Sequence, residues 1–156
     1  MKKLNISLII LLILSSKILA SEISGIPVIT DGDTIKIFNT RIRFHGIDAP
    51  EKKQLCVKNL NEYNCGKEAT DALVNKIDGK KVLCKAQDRL DRYKRYIGVC
   101  FVGEVNLNKW MVRNGYAVAF RRYSKDYIKD ENYAKKNKLG LWSGSFIHPE
   151  KWRKLN

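Results

Sequence analysis

Apolar and polar residues follow two different periods along this chain, and the switches between them mark out its elements. Residues 26–30, 34–38 and 41–47 are short, rich in β-branched side chains and separated by turn signals, Asp31-Gly32 and then Asn39, which predicts a three-stranded meander. In the third of these, alternation sends Ile42 and Phe44 to one face and Arg41, Arg43 and His45 to the other. Helical spacing takes over at 68–77, where Ala69, Ala72, Leu73 and Ile77 share a face, with Gly66 ahead and Asp78-Gly79 at the end. Strands return at 81–86 and 97–102, joined by a charged excursion over 87–96. Asn106 is placed to cap a short helix that carries Leu107, Trp110 and Met111 inward and stops at Gly115. A last helix is predicted over 124–138, ending at Leu139-Gly140, with Leu141-Trp142 docking back on the body.

Five strands with helices after the third and the fifth predict an α+β domain, a small Greek-key barrel packed against helices. Such barrels bind nucleic acids or sugar chains, so the fold alone leaves the function open. Residues 1–20 read as a secretory signal peptide: Lys2 and Lys3, an apolar core around 8–14, and a small residue at Ala20. The apolar run is shorter than the roughly 20 residues of a membrane span, and Lys17 breaks its end. Cleavage would leave 156 − 20 = 136 residues, 21–156, enough for one domain with one core. The formal charge of +14 falls by the three leader lysines to +11, an excess that attracts polyanions and weakens with salt. Charge alone does not separate nucleic acid from anionic lipid.

All four cysteines follow the leader, as suits an oxidising compartment, and the chain is expected outside the cytoplasm, secreted or periplasmic. Cys84 and Cys100 sit in two apolar runs that read as neighbouring antiparallel strands. Cys56 and Cys65 bracket a polar loop ahead of the first helix. The expected pairs are therefore Cys56 with Cys65 and Cys84 with Cys100, out of three possible pairings. A zinc site is the alternative, but the spacings are unlike paired Cys-x-x-Cys knuckles.

Chemistry concentrates in Thr30-Asp31-Gly32-Asp33-Thr34 and in Arg43-Phe44-His45-Gly46-Ile47-Asp48-Ala49-Pro50-Glu51. Asp31, Asp33, Asp48 and Glu51 gathered on one spot would raise one another's pKa values unless a counter-ion were present. Oxygen ligands without thiolate or imidazole suit a hard divalent cation, and calcium tolerates irregular geometry best. Gly32 is expected to allow a sharp turn between the aspartates, and Pro50 to bias Ala49 toward extended backbone. Taken singly, Asp-Gly-Asp and Asp-Ala-Pro-Glu are also ordinary turn sequences. Their combination with Arg43 favours a catalytic site.

The ordered set Asp-Gly-Asp-Thr, Arg-x-x-Gly-Ile-Asp-Ala-Pro-Glu and Asp91-Arg92-Tyr93-Lys94-Arg95 resembles the motifs of the staphylococcal nuclease (thermonuclease) family, over about 26–142. The resemblance implies a five-stranded OB-fold Greek-key barrel with three helices. It implies one Ca2+ held by Asp33, Asp48 and the Ala49 carbonyl, with Asp31 bracing the site from behind or through water. It makes Glu51 the general base or water-orienting group, Arg43 and Arg95 the phosphate-gripping pair, and Tyr93 a contact to substrate phosphate. Tyr123 is a further candidate beside the substrate. His45 has no catalytic counterpart in the family, and His148 lies beyond the matched stretch as a tail residue. Lys52-Lys53, Lys80-Lys81 and Lys135-Lys136 read as solvated faces, the first best placed to meet a nucleic-acid backbone. Ala49 stands where the founding member has threonine, and Lys94 where glycine is common.

The reading that follows is a monomeric, exported, calcium-dependent nuclease acting on DNA and RNA with little sequence preference and leaving 3′-phosphate ends. Its rivals are a catalytically inactive nucleic-acid-binding OB-fold module and a basic envelope-adhesion protein.

Overall fold

The computed structural model describes residues 21–156; the expected signal peptide lies outside them. The N-terminal strand differs from the prediction in an informative way. In place of one strand over 26–30 there are two, β1 (Ser21–Gly25) and β2 (Val28–Asp31), broken at Ile26-Pro27. Each half pairs with a different neighbour. β2 runs antiparallel to β3 (Thr34–Ile37), which pairs with β4 (Thr40–Phe44). Further along, β5 (Ile47–Asp48) is separated from β4 by a turn at His45-Gly46, where Gly46 has φ +73. A hairpin that alternation did not reveal follows, β6 (Leu55–Lys58) and β7 (Asn61–Asn64).

The first helix, α1 (Cys65–Ile77), begins three residues before Glu68. Asn64 caps it, its side-chain oxygen accepting the Lys67 N–H at 2.8 Å. The charged excursion after the next strand is itself half strand: β8 (Val82–Leu90) runs on past Ala86 before turning into β9 (Tyr96–Val102). β10 (Val105–Asn106) leads into α2 (Leu107–Arg113), capped by Asn106 as predicted. Then come β11 (Val118–Ala119) and α3 (Ile128–Lys136), which starts four residues later than the period suggested. A Ser124–Asp126 turn precedes it. A 3-10 turn over Gly140–Ser143 buries Leu141, and a further helix, α4 (Pro149–Leu155), closes the chain.

The sheet order is β1-β8-β9-β4-β3-β2, with β4 and β9 parallel and the other pairs antiparallel. Because β1 and β2 are two halves of one bent strand on opposite edges, the sheet curls round into a half-barrel consistent with the Greek-key OB fold of an α+β domain. Among the described residues the strands are more numerous than the five expected and the α-helices are four, since edge pairs and α4 add to the barrel. The core is filled by Ile35, Ile37, Ile42, Phe44, Leu73, Leu107 and Met111, all buried. At roughly 1.5–3 kcal/mol for each large apolar side chain removed from water, these are the main source of stability.

Cys84 and Cys100 face each other directly across β8 and β9 and are bonded, as are Cys56 and Cys65, the expected pairs. The first ties two barrel strands together and the second pins β6 to the start of α1. Closing loops of 9 and 16 residues should contribute about 2–3 kcal/mol each. Thermal melts with and without reductant are expected to differ by ten degrees or more, roughly, once thiol titration shows both bonds open. An unchanged melting temperature would mean that neither bond stabilises the fold.

Candidate active site

One corner of the barrel gathers the β2–β3 turn, β4 and the loop after β5. Oδ1 of Asp31 accepts the Asp33 N–H at 3.0 Å, which closes the turn. Asp33 is buried and fully engaged. Its Oδ1 accepts from the Thr34 hydroxyl at 3.0 Å and from Arg43 at 2.6 Å, and its Oδ2 accepts the Ala49 N–H at 2.9 Å. The second arm of Arg43 donates to Asp48 Oδ1 at 2.8 Å, so one guanidinium fork spans the two buried carboxylates. The expected alternation along β4 is what aims Arg43 here, while Ile42 and Phe44 enter the core.

Two glycines set the spacing for a reason other than turn flexibility. Gly32 was expected to serve a sharp turn, yet its backbone does not need the left-handed region. A side chain there would meet the Cβ of Ala49 at 2.8 Å and of Ala69 at 3.0 Å, so glycine lets the aspartate turn lie against the Ala49 loop. At Gly66 a Cβ would fall 1.8 Å from the Glu51 carbonyl oxygen. The start of α1 therefore rests directly on the backbone that carries Glu51. Gln54 completes the support, with its N–H donating to the Glu51 carbonyl at 2.7 Å.

Arg95 approaches from the turn between β8 and β9. Asp91 holds it with two bonds, from Nε at 3.0 Å and Nη2 at 2.8 Å, and also accepts the backbone N–H groups of Tyr93 and Arg95. Burial would raise the Asp91 carboxyl, but these donors hold it below the usual range. A third nitrogen of Arg95 lies 3.4 Å from Thr34 Oγ1, the hydroxyl bonded to Asp33, so Arg95 joins the carboxylate cluster through that residue. Lys94, in place of glycine, adopts the left-handed conformation at φ 59, and the turn keeps its shape. Tyr93 is exposed with the guanidiniums of Arg92 and Arg95 over its ring at 4.8 and 5.1 Å. Tyr123 is also exposed, edge-on to Phe120 at 4.8 Å.

A third arginine enters from α4. Arg153 donates to Asp48 Oδ1 at 2.9 Å, to Asp48 Oδ2 at 3.0 Å and to Glu51 Oε1 at 2.9 Å, bridging the buried aspartate to the half-exposed glutamate. Burial works against the charge on Arg153, yet Asp48 and Glu51 raise its pKa further, so it stays protonated. Burial pushes Asp48 upward, opposed first by Arg153.

The profile of the family described as Staphylococcal nuclease homologue matches residues 41–144. The chain belongs to the staphylococcal nuclease family. An uncharacterized endonuclease of Escherichia coli is 36% identical over 154 residues, covering 93% of this chain and 94% of its own. A probable staphylococcal-like nuclease of Oryza sativa subsp. japonica is 38% identical over 117 residues, 73% of this chain and 28% of that longer protein. The chain is also similar to the succinoglycan biosynthesis protein ExoI of Rhizobium meliloti, at 34% identity over 133 residues, 83% of this chain and 69% of that one. With endonucleases among its relatives, this member of the nuclease family is a hydrolase whose substrate class is nucleic acid.

Four carboxylates of the nuclease corner face two cations, Arg43 and Arg153, with Arg95 committed to Asp91. Asp31 shows the imbalance: burial first, then Asp33 and Glu51, push its carboxyl up to about 6. Among the described residues no three acidic, imidazole or thiol groups converge closely enough to hold an ion unaided, because the Arg43 fork lies between Asp33 and Asp48. The donor chemistry still fits a hard divalent ion, all oxygen and two negative charges in excess.

The sequence reading omitted Arg153 and placed His148 in a tail. His148 instead precedes α4 and packs beside Trp142 and Phe146. The signals for the helix were present: Pro149 in the first turn with Glu150, Arg153 and Lys154 in the last. Nothing in the sequence says which face of so short a helix meets the barrel.

Proposed function

We propose that this nuclease is an exported, calcium-dependent phosphodiesterase that cleaves DNA and RNA with little sequence preference and leaves 3′-phosphate ends. The observation that carries the reading is the Arg43 fork spanning Asp33 and Asp48 beside a solvent-reachable Glu51, with Arg95 joined to the same cluster through Thr34. Export is supported by two disulfides on a strongly basic chain.

Phosphodiesters resist hydrolysis because their negative charge repels nucleophiles. Arg43 and Arg95 supply planar donor forks, which can hold two oxygens of the transferring phosphoryl group as charge builds there. Glu51 accepts a proton from water as its oxygen bonds to phosphorus, and the bond to the 5′ oxygen breaks, that oxygen taking a proton from solvent. Asp33, Asp48 and the Ala49 carbonyl are the groups that would hold the cation, with Asp31 behind them. When bound it would neutralise phosphate charge. Tyr93 stands beside Arg95, where a neighbouring phosphate of the strand can reach it.

End-labelled single-stranded DNA incubated with calcium, and with a chelator in excess, tests the reading. Cutting is expected in calcium with loss of at least a hundredfold in chelator, and the new ends should require phosphatase before polymerase extension. Undiminished cutting in chelator would overturn the cation dependence, and binding without cutting in calcium would leave a nucleic-acid-binding module.

A further inference from the structure

Beside the carboxylate corner the molecule has a second concavity, of about 450 Å3, between the segment 118–122 and α4. Buried Asp48 is among the residues that line it. One wall carries Phe120 and Arg122, the other Lys151 and Lys154. A single carboxylate, Glu150, serves cations from both walls, at 2.5 Å from Arg122 and 3.5 Å from Lys154, while among the described residues Lys151 has no acidic partner. The cleft therefore holds more positive charge than its own acids neutralise.

The far wall is built in rather than draped. Arg153 fastens α4 to Asp48 and Glu51, and the Gln54 side-chain amide donates to the Ile147 carbonyl at 2.6 Å just ahead of the buried Pro149. The helix lies outside the residues that the family profile matches, 41–144, as do β1, β2 and β3 of the barrel. We propose that the cleft is a second phosphate subsite, in which Lys151 and Lys154, facing Arg122, take the backbone phosphate next to the scissile one on a single strand. The placement follows from chemistry and reach. The cleft shares Asp48 with the hydrolytic carboxylates, its charge matches a polyanion, and a strand leaving the site toward α4 would run along it. Phe120 offers an apolar surface at its side for a base.

This inference rests on the carboxylate corner being the hydrolytic site, and the experiment separates the two. Lys151→Gln/Lys154→Gln is compared with Lys80→Gln/Lys81→Gln, a change of equal charge in the exposed turn after α1. The ratio of kcat/KM for a twelve-nucleotide DNA strand to that for bis(p-nitrophenyl) phosphate, which has no neighbouring phosphate, is expected to fall about tenfold in the first double variant and to hold in the second. In parallel, fluorescence anisotropy of the same strand on a Glu51→Gln background reads binding whether or not the enzyme cuts. There the slope of log affinity against log salt should shrink by about 0.7, the value for one phosphate contact on a single strand. Equal losses in both double variants would reduce the cleft to diffuse surface charge, and an unchanged ratio with an unchanged salt slope would remove the subsite altogether.

Discussion

Glu51→Ala and Arg43→Lys are each expected to lower kcat on single-stranded DNA by roughly 10²–10⁴-fold. For Glu51 the loss is that of a proton acceptor, and the fold should not register it. Arg153 retains both bonds to Asp48, at 2.9 and 3.0 Å, and Gln54 binds the Glu51 backbone rather than its carboxylate. Arg43→Lys is the sharper test because it keeps the charge. An ammonium cannot reach Asp33 at 2.6 Å and Asp48 at 2.8 Å simultaneously through a rigid fork, nor offer a phosphate two parallel donors. Arg95→Ala should be nearly as damaging to turnover while leaving the buried pair intact, since Arg95 is tied to Asp91 and Thr34 instead. Initial rates at saturating calcium and substrate, beside far-ultraviolet dichroism, make the check. Any of the three variants turning over within tenfold of the parent would take its residue out of the mechanism.

The residues of that corner were legible because the chemistry is local in sequence. Asp31 to Glu51 spans one meander, so turn signals and alternation suffice to bring Asp33, Arg43 and Asp48 to a single side of the sheet. Arg95 needed more than pattern, since in a run of basic residues only its spacing from Asp91 distinguishes it, through the motif it resembles. What could not be read is what depends on the curled sheet. The break at Ile26-Pro27 follows from β1 finding β8 as partner, 82 − 25 = 57 positions away even at the nearest pair, Gly25 and Val82, a pairing that no local period encodes. The Gly32 requirement arises from Ala49 and Ala69 crossing over it, likewise a tertiary fact. Arg153 is the strongest case: its partners lie 105 and 102 residues earlier, and the helix that presents it has only seven residues on which to show a period.

Removing Glu131 should produce the largest loss of stability of any single charged residue in the fold. Its side chain is fully buried, yet it accepts the Ala119 N–H at 3.0 Å, Arg121 at 2.6 Å and Lys135 at 2.8 Å. Burial alone would raise its pKa, but Arg121, Lys135 and the Ala119 amide together hold it below the ordinary value of 4.5. In Glu131→Ala the two cations, both half-exposed, can turn to water; the Ala119 amide, nearly buried, cannot, and a cavity opens beside it. The expected cost is about 3 kcal/mol, or roughly 10 °C in melting temperature. Glu131→Gln keeps an acceptor for the amide and should lose about half as much. Because the folded pKa is depressed, the charge-dependent part is fully present above pH 4.5 and disappears as pH falls through the folded value, so the gap between parent and Glu131→Gln melts should be constant near neutrality and narrow in acid. A gap that persisted at full size in strong acid would mean that shape rather than charge is what Glu131 contributes. The consequence reaches catalysis by a short path: Ala119 belongs to β11, which pairs Val118 with Asp48, so a loosened β11 should also lower kcat modestly at temperatures well below the melt.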